Sequence, residues 1–243
     1  MTSYKTKAII INRLNLGESD RILTLFSPEF GKIRAICKGS RRTKSKFGGH
    51  TELFSCADFV VSKGKSLDII TDAVLSKNYL NTDPDIDKVQ TAYFFAEVLN
   101  KLLPDETPNK EVYNLYQYCL EKINTFDSKF IQLLFVAKLL KDLGIYPELS
   151  TCVVCSEKPD RAEIFFSQGA GGITDRKCST HFEDSVETNE SVVKLWRFLA
   201  DSSFERIEKL SADKAIVCAA SDLAVQYICR TTMIDAKSLR VLS

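Results

Sequence analysis

The sequence predicts an α+β protein. A small five-stranded β-barrel fills residues 1–80, and an α-helical domain, residues 81–243, carries a small zinc-binding element at 150–182. Three observations predict this. Short runs rich in β-branched residues, separated by turn signals, fill the first 80 residues. Apolar residues at helical spacing dominate the rest of the chain. Two knuckles, Cys152-x2-Cys155 and Cys178-x2-His181, stand 22 residues apart in the helical part.

The strands come first. Residues 4–13, with Ile9, Ile10 and Ile11 in succession, read as a strand, and Leu16-Gly17-Glu18-Ser19 as a turn. Arg21 to Ser27 is a second strand, and Gly31 to Cys37 a third, in which Lys32 and Arg34 alternate with Ile33, Ala35 and Cys37. Glu52 to Ser62 and Leu67 to Lys77 form a hairpin around Lys63-Gly64-Lys65-Ser66. Five short strands at this spacing predict a closed barrel, and the oligonucleotide-binding (OB) barrel leads among the architectures.

Between the third and fourth strands lies the strongest charge signal. Gly31 to Gly49 carries seven basic residues, and no acid stands between Glu29 and Glu52. Lys38 to Gly49 has no apolar period and reads as a mobile, exposed basic loop. So dense a run of like charge repels itself until a polyanion or salt screens it. Arg13, Lys32, Arg34, Lys38, Arg41, Arg42, Lys44 and Lys46 are the expected phosphate contacts. The net charge of +1 hides an asymmetry that supports this. Residues 1–80 hold 14 basic and 7 acidic side chains, a net +7, whereas the other 163 hold 19 and 25, a net −6. Phe47, inside the loop, suits either base stacking or packing on its own barrel, with packing the better reading.

The helices come next. Asp83-Pro84-Asp85 caps a helix marked by Ile86, Val89, Tyr93, Phe94, Val98 and Leu102 and ended by Pro104. A second helix runs from about Asn109 to Asn124, and a third from Ser128 to Leu143. The third is apolar on most sides and reads as the centre of a bundle. Asn189 to Ala200 and Lys214 to Arg230 resume as helices.

The two knuckles supply three thiols and one imidazole, Cys152, Cys155, Cys178 and His181, a donor set that suits tetrahedral zinc. Between them Phe165, Phe166, Gly169, Gly171 and Gly172 suit a short hairpin. Four protein ligands leave no open position, so the zinc is expected to be structural. Cys37, Cys56, Cys119, Cys218 and Cys229 read as small core residues.

Enzyme chemistry is not signalled. No G-x-x-x-x-G-K-[ST] motif is present. Glu18 and Asp20 read as turn chemistry, and Asp83, Asp85 and Asp87 as a helix cap, in place of a nuclease metal site. No run approaches the roughly 18 apolar residues of a membrane helix, and the opening residues lack an export signal. A cytoplasmic protein without a membrane role is expected. The competing class is a zinc-ribbon transcription regulator, although the helices are acidic or apolar and none is rich in basic residues.

Together these residues carry a resemblance. Gly17-Glu18-Ser19-Asp20-Arg21, Leu25-Phe26, Gly31-Lys32-Ile33, Lys38-Gly39 with Arg41-Arg42, and Ser45 through Gly49 resemble the bacterial recombination mediator RecO family. So do Leu143-Gly144-Ile145-Tyr146-Pro147, Cys152-x2-Cys155, Phe166, Gly171-Gly172 and Cys178. The resemblance implies an OB barrel followed by a helical body with a zinc element, in a bacterial, nucleoid-associated protein. It implies binding of single- and double-stranded DNA and annealing of complementary strands. It also implies action with RecR, and often RecF, to load RecA on strands coated with single-strand-binding protein (SSB), without enzyme activity. Zinc-bearing members place a fourth cysteine where this chain has His181. The SSB tail, acidic with an apolar end, needs an apolar groove with basic rims. Lys138 and Lys141 beside the third helix are the expected rim.

Overall fold

A computed structural model describes residues 2–48, 50–80, 85–161 and 163–234. Five strands open the chain: β1 (Ser3–Leu16), β2 (Asp20–Ser27), β3 (Gly31–Cys37), β4 (Ser55–Ser62) and β5 (Asp68–Asn78). They close into a barrel in the order β1-β2-β3-β5-β4. β1 is long enough to serve two neighbours, pairing with β4 from Ser3 to Ile9 and with β2 from Ile9 to Leu16. A bulge between Ile10 and Asn12 lets it turn that corner. This explains why Ile9, Ile10 and Ile11 are all buried although a regular strand would alternate. β3 and β5 pair in parallel and complete the ring.

The barrel core is apolar: Ala8, Ile10, Leu23, Leu25, Ile33, Ala35, Phe59, Val61 and Ile70, with Phe47 from the β3–β4 loop. Phe47 is 5% exposed, so it packs on its own barrel and is not a stacking platform. Gly31 has φ +67°, and a Cβ there would lie 2.1 Å from the carbonyl oxygen of Thr107, so only glycine fits.

Two helices follow, α1 (Ile86–Leu102) and α2 (Lys110–Lys122). Asp85 is the N-cap of α1, its carboxylate accepting from Asp87 N–H; Gly49, Asp83 and Pro84 lie outside the described residues. α1 packs on β1 and α2 on β2, where Phe26 meets Tyr113 with ring centroids 5.6 Å apart.

The chain forms two compact units that part between Asn124 and Thr125, so α1 and α2 belong with the barrel. These two helices are grouped with the barrel because they bury their apolar faces on its strands. The second unit contains α3 (Ser128–Asp142), β6 (Ile164–Ser167), β7 (Gly172–Asp175), α4 (Arg176–Ser179), β8 (Ser185–Thr188), α5 (Glu190–Asp201), α6 (Phe204–Ile207) and α7 (Lys214–Thr232). Nine residues of α3 are buried, and α3 packs on both α5 and α7, the central position its all-round apolarity predicts. The hairpin expected between the knuckles is β6–β7, and β8 adds a third strand beside β6.

Candidate nucleic-acid interface and metal centre

The β3–β4 loop was expected to be mobile, but it is a chain of turns tied down at both ends. Four backbone hydrogen bonds, each spanning three residues, run along it: Arg42 N to Gly39 O, Ser45 N to Arg42 O, Gly48 N to Ser45 O and His50 N to Phe47 O. At its start, Gly39 N–H donates to the Asp20 carboxylate at 2.8 Å, and Arg41 donates to Ser19 O from its backbone and to Gly17 O from its side chain. The Gly39 backbone N–H, then the Ser19 hydroxyl and the Arg42 and Lys38 cations, hold the Asp20 carboxyl below its ordinary value. Buried Phe47 pins the middle. At the far end His50 Nδ1 lies 3.0 Å from Ala73 O and 3.3 Å from Leu75 N on β5.

The eight expected cations divide into three groups. Arg34, Lys38, Arg42 and Lys44 are exposed at the end of β3 and along the loop. Arg41 and Lys46 are also exposed but their heads are held, Arg41 by Gly17 O and Lys46 by Thr71 O at 2.6 Å, with Asp72 3.5 Å away. Arg13 and Lys32 are structural. Arg13 faces Leu23 across β1–β2, so past the bulge it points to the interior side of the barrel, where it pairs with Glu52. Lys32 is 8% exposed, donates to Asn100 O at the end of α1 and lies 3.1 Å from Asp105. It caps a helix C-terminus, where a cation is favoured. Six cations thus remain available to a polyanion.

Two positioning residues escaped sequence reasoning. Asp20 ties the start of the loop to the β1–β2 turn. Glu52 ties its end to Arg13 and to Arg21, whose nitrogen lies 3.1 Å from it. Partial burial acts to raise the Glu52 pKa, but Arg21 and Arg13 outweigh it and hold the carboxyl below its ordinary value. Nothing in the sequence pairs Glu52 with residues 31 and 39 positions earlier.

In the second unit, the sulfurs of Cys152, Cys155 and Cys178 and a carboxylate oxygen of Asp175 all lie within 4.8 Å of one another. A tetrahedral zinc with sulfur ligands at 2.3 Å sets its donors about 3.8 Å apart, so this cluster fits a metal ion. The first knuckle turns on Ser156 N–H donating to Cys152 O at 2.9 Å and is docked on β7 by Val153 N–H donating to Ile173 O. Burial acts to raise the Cys152 pKa, but backbone N–H groups of Cys155, Val154 and Asp175 hold the thiol below its ordinary value. Burial and hydrogen bonds with Cys152, Asp175 and Cys155 push the Cys178 thiol up to about 12. A metal ion bound here would take the thiols as thiolates and release their protons.

His181 does not join the cluster. α4 ends at Ser179, and His181 lies past it, exposed, its N–H donating to Cys178 O. Asp175 stands in its place. As the N-cap of α4 it folds back over the first turn, accepting from Cys178 N–H at 2.8 Å and from the Cys155 thiol at 3.2 Å. The backbone of Cys178 and then the Cys155 thiol lower its pKa to about 2. The signal was readable: an aspartate three residues before Cys178 has cap spacing.

The expected partner rim is also engaged. Lys138 donates to Ser202 O at 2.6 Å and lies over the Phe204 ring, and Lys141 pairs with Asp201 at 2.5 Å.

Both halves of the chain match models of one family: residues 1–79 the recombination protein O N terminal model, and residues 83–240 the recombination protein O C terminal model. This chain belongs to the recombination protein O family. Similar relatives agree along nearly the full length. DNA repair protein RecO of Caldanaerobacter subterraneus subsp. tengcongensis is 29% identical over 98% of this chain and 96% of its own. DNA repair protein RecO of Desulfitobacterium hafniense, strain Y51, is 31% identical over 99% and 88%. Membership places the chain in a family of DNA repair and recombination proteins. Among the described residues, no helix is long and apolar enough to cross a membrane.

Proposed function

We propose that this protein is a non-enzymatic recombination mediator of the bacterial cytoplasm and nucleoid. It binds single- and double-stranded DNA, anneals complementary strands and helps load RecA on SSB-coated DNA with RecR and RecF. One observation carries the reading: six exposed cations on an anchored loop and strand end of a closed five-stranded barrel. Phosphate contacts of this kind are blind to sequence. Two polyanionic strands also meet more easily beside a surface that neutralises both. The test is annealing of complementary fluorescent strands coated with SSB, with and without the protein. Acceleration is expected, and an unchanged rate sinks the mediator role.

Zinc is the metal this reading assigns to Cys152, Cys155, Cys178 and Asp175, as a brace for the turn that joins the first knuckle to the β6–β7 hairpin. For the SSB tail, with Lys138 and Lys141 engaged, a cavity of about 340 Å³ in the second unit fits better. Phe126, Phe130, Leu210 and Val217 give it an apolar lining, with one cation, Lys214, and one acid, Asp127, beside it. Calorimetric titration with a tail peptide is expected to show binding that Lys214→Ala weakens and Lys141→Ala leaves alone; the reverse ranking restores the original rim.

A further inference from the structure

At the end of the barrel away from the basic loop, the local charge reverses sign. The β1–β2 turn, where Asp20 and Arg41 hold that loop, marks one end, and the β2–β3 turn at Pro28 to Phe30 marks the other. The eight residues of β2 separate the two ends by about 25 Å. That is well beyond the roughly 8 Å over which exposed charges act at physiological salt, so the loop cations do not set the potential here.

A cavity of about 210 Å³ opens at this end. Part of its lining is aromatic. Tyr4 from the start of β1 and Phe30 from the β2–β3 turn lie with ring centroids 4.6 Å apart, beside buried Ile33. Phe30 is 37% exposed, a large apolar ring left open to solvent. Two carboxylates complete the site. Glu29 Oε2 lies 3.0 Å from the Thr6 and Ser27 hydroxyls, both buried, and Glu29 pairs with no cation among the described residues. Glu106, in the segment between α1 and α2, has φ +53°, a conformation that residues with a Cβ adopt rarely. Its N–H donates to Lys32 O at 2.9 Å, which fixes this segment against β3 and sets the carboxylate at the cavity.

One cation of the chain's own shows what the lining accepts. Lys63 Nζ lies 5.3 Å from the centre of the Tyr4 ring, within cation–π reach. Asp68, 9% exposed and 3.2 Å away, takes up its charge, with Glu106 at 3.5 Å. Glu29 and the open ring of Phe30 are left without a cation.

We propose that this cavity receives an arginine side chain of a protein partner. Volume, charge and shape select that occupant. About 210 Å³ falls short of the roughly 300–1,000 Å³ usual for small-molecule sites, so one side chain fits better than a whole metabolite. Two carboxylates line the cavity, and its one ammonium is already paired with Asp68, so the occupant is cationic. A guanidinium is flat, stacks on an aromatic face and offers a fork of donors to a carboxylate; an ammonium is a point charge. Phe30 supplies the face and Glu29, its neighbour in the chain, the carboxylate. The proposal does not rest on the nucleic-acid reading: a protein held here leaves the basic loop free, and a polyanion is repelled by the same acids.

The test follows the Phe30 and Glu106 amide signals of the nitrogen-15-labelled full chain by NMR during titration with capped amino-acid amides. The arginine amide is expected to move both signals with a Kd on the order of 10 mM, as weak as one ion pair and one exposed cation–π contact allow. The lysine amide is expected to bind several-fold more weakly, and the citrulline amide, which keeps the shape and lacks the charge, to move neither signal. Glu106→Gln at an exposed position, and Glu29→Gln, which keeps an acceptor for the Thr6 and Ser27 hydroxyls, are each expected to weaken the arginine amide roughly 2- to 5-fold. If Glu29→Gln does not fold, Glu106→Gln decides. A capped pentapeptide with one central arginine is expected to match the amide, because a partner's backbone must stay outside the cavity. Citrulline amide binding as tightly as arginine amide overturns the proposal, as does the absence of any shift. Spermidine binding more tightly than the arginine amide makes the cavity a polyamine site and overturns it too. A pentapeptide that fails where the amide binds removes the protein partner.

Discussion

At the end of the barrel where β3 finishes, Glu52 serves two arginines at once. Arg21 has an 18% exposed side chain, and its Nε is buried without a hydrogen-bond partner. Glu52→Gln therefore leaves a half-buried cation without its charge partner. Because Glu52 is itself 43% exposed, solvent screens part of the loss, and a cost of about 1–2 kcal/mol is expected from urea denaturation. Its pH dependence has a definite sign. The carboxyl titrates below its ordinary 4.5 in the folded chain, so its stabilisation is complete above that value and disappears as pH falls through the lower folded value. Stability measured between pH 6 and acid, roughly pH 3, is expected to fall less steeply in Glu52→Gln than in the unaltered chain. Parallel curves would remove Glu52 from this role. Asp175 belongs to the same scale. A carboxylate three residues before Cys178 was legible as a helix cap, but a cap and a metal ligand look alike in sequence. Only the position of the Cys155 thiol beside it distinguishes them.

Among elements, the β3–β4 loop and β3 show how one charge pattern serves two purposes. Lys32 and Arg34 lie two apart on the same strand face, yet Lys32 sits under the end of α1 and Arg34 sits clear of it. The four-fold change of Arg34, Lys38, Arg42 and Lys44 to Ala is expected to weaken single- and double-strand binding together without altering Tm. With about four phosphates engaged, raising salt from roughly 50 to 200 mM costs the unaltered chain about two decades of affinity, and the variant should lose most of that slope. Lys32→Ala is expected to do the opposite, lowering Tm while leaving affinity per folded molecule and its salt slope intact. If Lys32→Ala flattens the slope and keeps Tm, the assignment of the two lysine-arginine neighbours is reversed. The strand pattern made this element visible, with its buried and charged faces. The division of labour along the charged face was not visible, because alternation reports which side a residue faces and not what covers that side.

For the molecule as a whole, two units carry two kinds of stabilisation: a closed apolar barrel with its two helices, and an all-round apolar helix beside a thiol cluster. Metal near one atom per chain is expected on protein purified without chelator. Chelation is expected to lower the melting of the second unit, and Asp175→Asn to weaken metal retention more than His181→Asn. Metal content that falls with His181→Asn and not with Asp175→Asn would return the histidine to the site.

Sequence alone determined the five barrel strands, the hairpin between the cysteine pairs, the long helices, the central place of the third helix, three of the four cluster residues and the cationic segment. Each of these is written in local periodicity or spacing, which the backbone converts directly into geometry. Tertiary structure decided what periodicity cannot carry. It paired Arg13 with Glu52, seated Lys32 at the end of α1 and set Asp175 in the cluster in place of His181. It also grouped the first two helices with the barrel and brought Tyr4, Glu29, Phe30 and Glu106 round one cavity. Those outcomes depend on a bulge, on strand register and on which face a distant helix covers. Residues far apart in the chain fix them together, so no single stretch contains them.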